Sequence, residues 1–111
     1  MINGLASRRK ALGPVFVLIG PSTFSSAVDN ALELQRALAA RLVGEPSGGM
    51  PGGYGEVAKL TSPNSKLVIR YTTKGSGTGA KTLTPDISAP FKLGEFMAGH
   101  DPVLDATIHA Q

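Results

Sequence analysis

Val15-Phe16-Val17-Leu18-Ile19 is an unbroken run of five apolar residues closed by Gly20-Pro21. A run without polar alternation predicts a central parallel strand buried on both faces. From Ser26 to Arg41 the pattern changes: Ala27, Ala31, Leu34, Leu38 and Leu42 recur at helical spacing among Asp29, Glu33, Gln35 and Arg36, which predicts an amphipathic helix. Its opening Ser26-Ala27-Val28-Asp29 has the Ser-x-x-Asp form of a capping box, with an acid in the first turn where the helix dipole favours it. Arg41 to Val43 reads as a short strand, and the next stretch, Gly44 to Gly55, holds six of the fourteen glycines together with Pro46 and Pro51. That composition predicts a mobile or ligand-facing loop.

Two further strands are expected over Glu56 to Thr61 and Lys66 to Thr72, joined as a hairpin by the turn formers of Ser62-Pro63-Asn64-Ser65. Lys74 to Thr82 reads as a second glycine-rich loop, and Thr84 to Ile87 as extended chain. Short helices are expected at Lys92 to Ala98 and Pro102 to His109. At the other end, Ile2, Leu5 and Ala6 make a loose helical pattern over Ile2 to Lys10, stopped by Gly13-Pro14. The order β, α, β, loop, β, β, then helices defines an α/β chain without an internal repeat.

Composition narrows this picture. The chain has 111 residues, 41% of them hydrophobic and 17% charged, which suits a single globular unit with a modest core. Zero cysteines exclude a disulfide scaffold, a thiol nucleophile and a cysteine-ligated zinc site. The apolar run is far shorter than the roughly 20 residues of a membrane span, and without a small-x-small cleavage site it is no signal peptide. A net charge of +3 with scattered basic residues and few aromatics argues against nucleic acid as a partner.

The segment with most chemistry is Ile19-Gly20-Pro21-Ser22-Thr23-Phe24-Ser25-Ser26-Ala27, a buried strand turning into a helix. A hydroxyl there sits beside unpaired N–H groups and the positive end of the dipole, an environment that stabilises an alkoxide or oxyanion. A plainer reading is that Thr23, Ser25 and Ser26 cap the helix. Gly75-Ser76-Gly77-Thr78-Gly79-Ala80-Lys81-Thr82 approaches a phosphate-binding loop, but Ala80 replaces its last glycine. Pro85 and Pro90 also prevent the helix that such a loop must open, so a surface loop is expected. His100 and His109 stand apart from any carboxylate cluster; no metal or cofactor is indicated, and both are expected on the surface.

Several stretches together resemble the serine peptidase family of C-terminal processing, or tail-specific, proteases, whose relatives include tricorn core peptidases and retinoid-binding repeats. They are Phe16-Val17-Leu18-Ile19-Gly20 leading into Thr23-Phe24-Ser25-Ser26-Ala27, and Val43-Gly44-Glu45-Pro46-Ser47-Gly48-Gly49 running on to Tyr54-Gly55-Glu56. After these come Leu60-Thr61-Ser62-Pro63-Asn64-Ser65, then Pro85-Asp86-Ile87 followed by Gly99-His100-Asp101-Pro102-Val103-Leu104. Order and spacing agree from about Val15 to the end.

The resemblance implies part of a ClpP/crotonase-like fold: a β-α-β core, a hairpin and C-terminal helices. It also implies a peptide or protein substrate, with Ser25 as nucleophile, the Ser26 N–H as an oxyanion donor and Gly48 and Gly49 in substrate contact; Ser26 is the alternative nucleophile. In the tail-specific branch a lysine acts as base, and the same count places Met50 there. A thioether cannot take the serine proton. The tricorn-like constellation, an upstream histidine with a glutamate before Pro-Asp-Ile, is incomplete too.

Residues 1–111 therefore read as the C-terminal portion of a peptidase domain, without the PDZ domain that family members often carry upstream. An upstream segment, a second chain or a homo-oligomer would complete it. An extracytoplasmic location is implied by the family alone. The alternative to a peptidase is a non-catalytic peptide-binding or assembly module derived from that family.

Overall fold

The structure is a computed structural model that describes residues 2–77 and 79–110; Met1, Thr78, Gln111 and the side chains of Asn3 and of Ile2, the latter named above as an apolar helix position, lie outside it. Its elements are α1 (Ile2–Ala6), β1 (Phe16–Ile19), α2 (Ser26–Leu38), β2 (Arg41–Gly44), β3 (Gly52–Thr61), β4 (Val68–Gly77), β5 (Ile87–Ser88), α3 (Leu93–Met97) and α4 (Pro102–His109). The chain is α/β, as its pattern predicts.

The strands form two separate sheets. One is parallel with order β1-β2-β5, in which Phe16 pairs with Arg41, Ile19 with Gly44, and Val43 with Ile87. The connection from β1 to β2 runs through α2, the βαβ unit that parallel pairing requires. The core lies between α2 and this sheet: Ile19, Val28, Ala31, Leu42 and Leu83 are buried together, with Val17 and Leu32 packed against them.

Two expectations change here. Within the described residues β2, not β1, is the middle strand, and Leu18 is half exposed, so the apolar run is an edge strand with one face open. On α2 the buried positions are Val28, Ala31 and Leu38 while Ala27 is exposed. The larger Val28 takes the core, and the helix face is rotated accordingly.

The second sheet is an antiparallel ribbon of β3 and β4, paired from Gly52 opposite Gly77 to Thr61 opposite Val68. The expected hairpin forms, but its second strand begins at Val68 rather than Lys66, and both strands run further at its base. Both glycine-rich segments expected as loops run into its strands, because Gly52 and Gly53 reach the ladder at φ of 76° and 139°, values that glycine tolerates. Glu56, at φ 48°, interrupts the ladder between Gly55, opposite Lys74, and Val57, opposite Thr72. Thr72 and Thr73 hydroxyls donate to the Gly55 and Glu56 carbonyls there (2.6 and 2.9 Å).

Every residue of β4 is exposed. The registers Ala58 with Tyr71 and Leu60 with Ile69 put four apolar side chains on one ribbon face, and Leu60, Ile69 and Tyr71 are each more than half exposed. The radius of gyration, 18.4 Å, exceeds the roughly 13 Å of a compact chain of this size.

At the chain's end, α4 begins where its sequence predicts: Asp101 caps it by accepting from the Val103 and Leu104 N–H groups, each at 3.0 Å. The expected first helix stops at Ala6 and is followed by a 3-10 turn at Arg9–Ala11. Among the described residues no helix is long and apolar enough to cross a membrane.

Candidate active site

The turn from β1 into α2 is fastened at its base. The Thr23 N–H donates to the Gly20 carbonyl at 2.8 Å, and the Gly20 N–H donates to Thr23 Oγ1 at 3.0 Å. Thr23 thus closes the turn rather than capping the helix. The capping box expected at Ser26 also gives way: Ser26 is the first helical residue, and Ser25 holds the cap position without a side-chain hydrogen bond to the helix.

Ser25 has φ 55° and ψ −129°, a backbone conformation that costs a non-glycine residue roughly 1–3 kcal/mol and tends to collect at functional sites. Its hydroxyl is exposed and uncommitted among the described residues, while its carbonyl accepts from the Val28 N–H at 2.9 Å. The Ser26 N–H makes no hydrogen bond among the described residues. It is one of the free donors that every helix start presents.

The loop after β2 is pressed onto this turn. The Gly49 N–H donates to the Thr23 carbonyl at 3.1 Å. A side chain at Gly48 would overlap the Pro21 carbonyl, and one at Gly49 would crowd Phe24 and Val28. Gly48 is thus required for close approach, while a side chain at Gly49 would fit only if Phe24 and Val28 shift by a few tenths of an ångström. Gly44, at φ 124°, is similarly packed against the Ile19 carbonyl.

Ser47, 2% exposed, ties a third segment to this loop. Its Oγ donates to the Gly49 carbonyl (2.6 Å) and accepts from the Leu83 N–H (2.7 Å), and its N–H donates to the Leu83 carbonyl (3.0 Å). Asp86 performs a related task between strands: its carboxylate accepts from the Leu42 N–H at 2.7 Å and from Gln35 Nε2 at 3.3 Å.

These three segments border a cleft of about 500 Å³ that brings together Ser25, Ser26, Gly48, Gly49 and Met50. Its titratable lining groups are Asp29, Tyr54 and Lys81. Met50 is 47% exposed there. His100 and His109 do not line the cleft; both are exposed, and His109 Nδ1 lies 2.7 Å from the Asp105 carbonyl on its own helix. The glycine-rich segment ending at Lys81-Thr82 opens no helix. Among the described residues no three His, Asp or Glu side chains gather as metal ligands.

Sequence reasoning did not assign roles to Ser47, Asp86 or Lys81. Ser47 carried one local signal, a lone hydroxyl within a Pro-Gly run. The contacts of Asp86 and the cleft position of Lys81 depend on partners far along the chain.

The βαβ core thus carries an uncapped serine at its strand-to-helix turn, with a glycine loop packed against it. The model of peptidase family S41 matches residues 3–89, and the chain belongs to that family. A crystal structure of a candidate peptidase from Parabacteroides merdae is similar in fold, with a TM-score of 0.60 and 23% sequence identity. That match covers 89% of this chain and 32% of the Parabacteroides chain, so the present chain spans about a third of that protein's length. A search of curated proteins finds no match.

Proposed function

We propose that this chain is the C-terminal portion of a serine peptidase domain of the tail-specific kind, in which Ser25 attacks a peptide carbonyl to form an acyl-enzyme that water then hydrolyses. The observation that carries this reading is the backbone of Ser25. It is held in a costly conformation at the head of a 13-residue helix, with its hydroxyl left free on a cleft. A residue serving only to cap the helix would bond its side chain to the first turn.

The chemistry follows from the surroundings. When Oγ bonds to the carbonyl carbon, the developing oxyanion needs donors that are already oriented. The free Ser26 N–H is adjacent, and the positive end of the α2 dipole lies behind it. Gly48 and Gly49 leave backbone rather than side chains along the cleft, which suits an extended peptide lying against it.

Labelling with a fluorophosphonate probe, read by intact mass, tests the reading. One adduct is expected, lost in Ser25→Ala and kept in Ser26→Ala. The reverse result would move the nucleophile to Ser26. A second reading is favoured by Met50, which has no basic atom to offer: a non-catalytic module that holds peptides in the same cleft. It predicts peptide binding by a folded chain that never takes the label.

A further inference from the structure

The net charge of the chain is carried by one element. Within the ribbon, Gly52 to Gly77, the basic residues are Lys59, Lys66, Arg70 and Lys74 and the one acid is Glu56, which leaves it at +3. That equals the formal charge of the whole chain, so the seven basic and seven acidic residues elsewhere cancel. From Val57 to Gly77 there is no acid at all. Cations that look scattered along the sequence are gathered by the hairpin.

Lys74 is engaged by Glu56. Lys59 and Arg70, by contrast, stand directly opposite each other in the ladder and form no ion pair among the described residues. Like charges so placed destabilise a sheet, a cost that an anion laid between them removes. A shallow hollow of about 440 Å³ lies at this pair, lined by Val57, Lys59, Arg70, Tyr71 and Thr72. It begins two residues beyond the Ser25 cleft, whose lining includes Gly53, Gly55 and Ser76. Alternation along the ladder puts those three on the same ribbon face as Val57, Lys59, Arg70 and Thr72. A track with little side-chain bulk thus leads from the cleft toward the paired cations. From Gly55 to Lys59 it covers roughly 13 Å, which an extended peptide spans in about four residues.

We propose that this face of the ribbon is an exosite for acidic peptide substrates. Lys59 and Arg70 receive the carboxylates of Asp or Glu side chains about four residues from the part of the peptide that lies in the cleft. The proposal rests on the reading of the cleft as a peptide site and deepens it by naming the substrate class. Charge complementarity selects this occupant. A second copy laid ribbon to ribbon would bring another +3 element against the first and be repelled. Each ribbon strand has a single partner, so its outer edge offers unpaired backbone groups to an extended chain. The arginine fork can meet a carboxylate with two N–H donors, and the basic face draws acidic peptides in from solution.

The chain has no cysteine, so Ser25→Cys carries a single thiol on the cleft, and its alkylation by iodoacetamide reports a bound peptide without any need for catalysis. Two probe peptides carry Glu-Asp-Glu at one or the other end of a neutral stretch; a third carries Gln-Asn-Gln instead. An acidic peptide should protect the thiol at about fivefold lower concentration than the neutral one, the scale of two exposed ion pairs, and the gap should shrink with added salt. Adding Lys59→Gln and Arg70→Gln should close the gap and leave protection by the neutral peptide unchanged. Thermal melting should fall no lower in that variant, since the substitutions remove a like-charge pair. Equal protection by acidic and neutral peptides, or a gap that survives the two substitutions, would overturn the proposal. Stronger protection by a single-stranded oligonucleotide would also overturn it, making the face a general polyanion surface. If no peptide of either kind protects the thiol, the peptide cleft itself falls, and the exosite falls with it.

Discussion

The parallel sheet keeps Val17, Ile19 and Leu42 packed with α2, whereas the ribbon of β3 and β4 holds Leu60, Ile69 and Tyr71 out in water. The ribbon has the longer strands, ten residues each against four, four and two. Strand length is therefore a poor guide to where the stability lies. A two-stranded ribbon is marginal by itself in water, while the short sheet is clamped by burial and by side-chain bonds across its loops. The candidate nucleophile stands on the clamped part, where a costly backbone conformation can be sustained.

Leu42→Ala should break this comparison most severely. Leu42 is fully buried at the centre of the parallel sheet, and its truncation is expected to remove about 2–5 kcal/mol, measured as a lower urea midpoint. Ser47→Ala comes next, at about 1–3 kcal/mol, because it leaves the Leu83 N–H and the Gly49 carbonyl in a buried site with one partner fewer. Smallest is Ile69→Thr on the ribbon, expected within about 0.5 kcal/mol since the side chain is already half exposed. Hydrogen exchange sharpens the contrast without mutation: β3 and β4 amides should exchange faster than those of β1 and β2. Equal protection in both sheets would show that the ribbon is covered in solution.

The parts legible in the sequence are those written in local pattern. The apolar run of β1, the helical spacing of α2 and the Asp101-Pro102 start of α4 each appear where their residues predict. The glycines hid the base of the ribbon, since Gly52, Gly53, Gly55, Gly75 and Gly77 read as loop residues until a partner strand lies opposite. At the site, register placed Ser25, but its positive φ has no signature in a serine. Asp86 is 44 residues from its Leu42 partner, a separation that no window of neighbouring residues spans. Lys81 was visible only as part of an incomplete phosphate-loop pattern, because its meaning depends on which cleft the chain carries it to.

The placement of the ribbon within the chain also bears on how the site assembles. Ser47 and Leu83 are separated by 36 residues, and joining them from an open coil means closing a long loop. Hairpins zip in about 1–10 μs. Once Gly52 faces Gly77, the effective separation of Ser47 and Leu83 falls to roughly a dozen residues, easing closure by about 1 kcal/mol. An element that buries almost nothing can in this way act as a kinetic splint, drawing β5 and Lys81 toward the turn that carries Ser25.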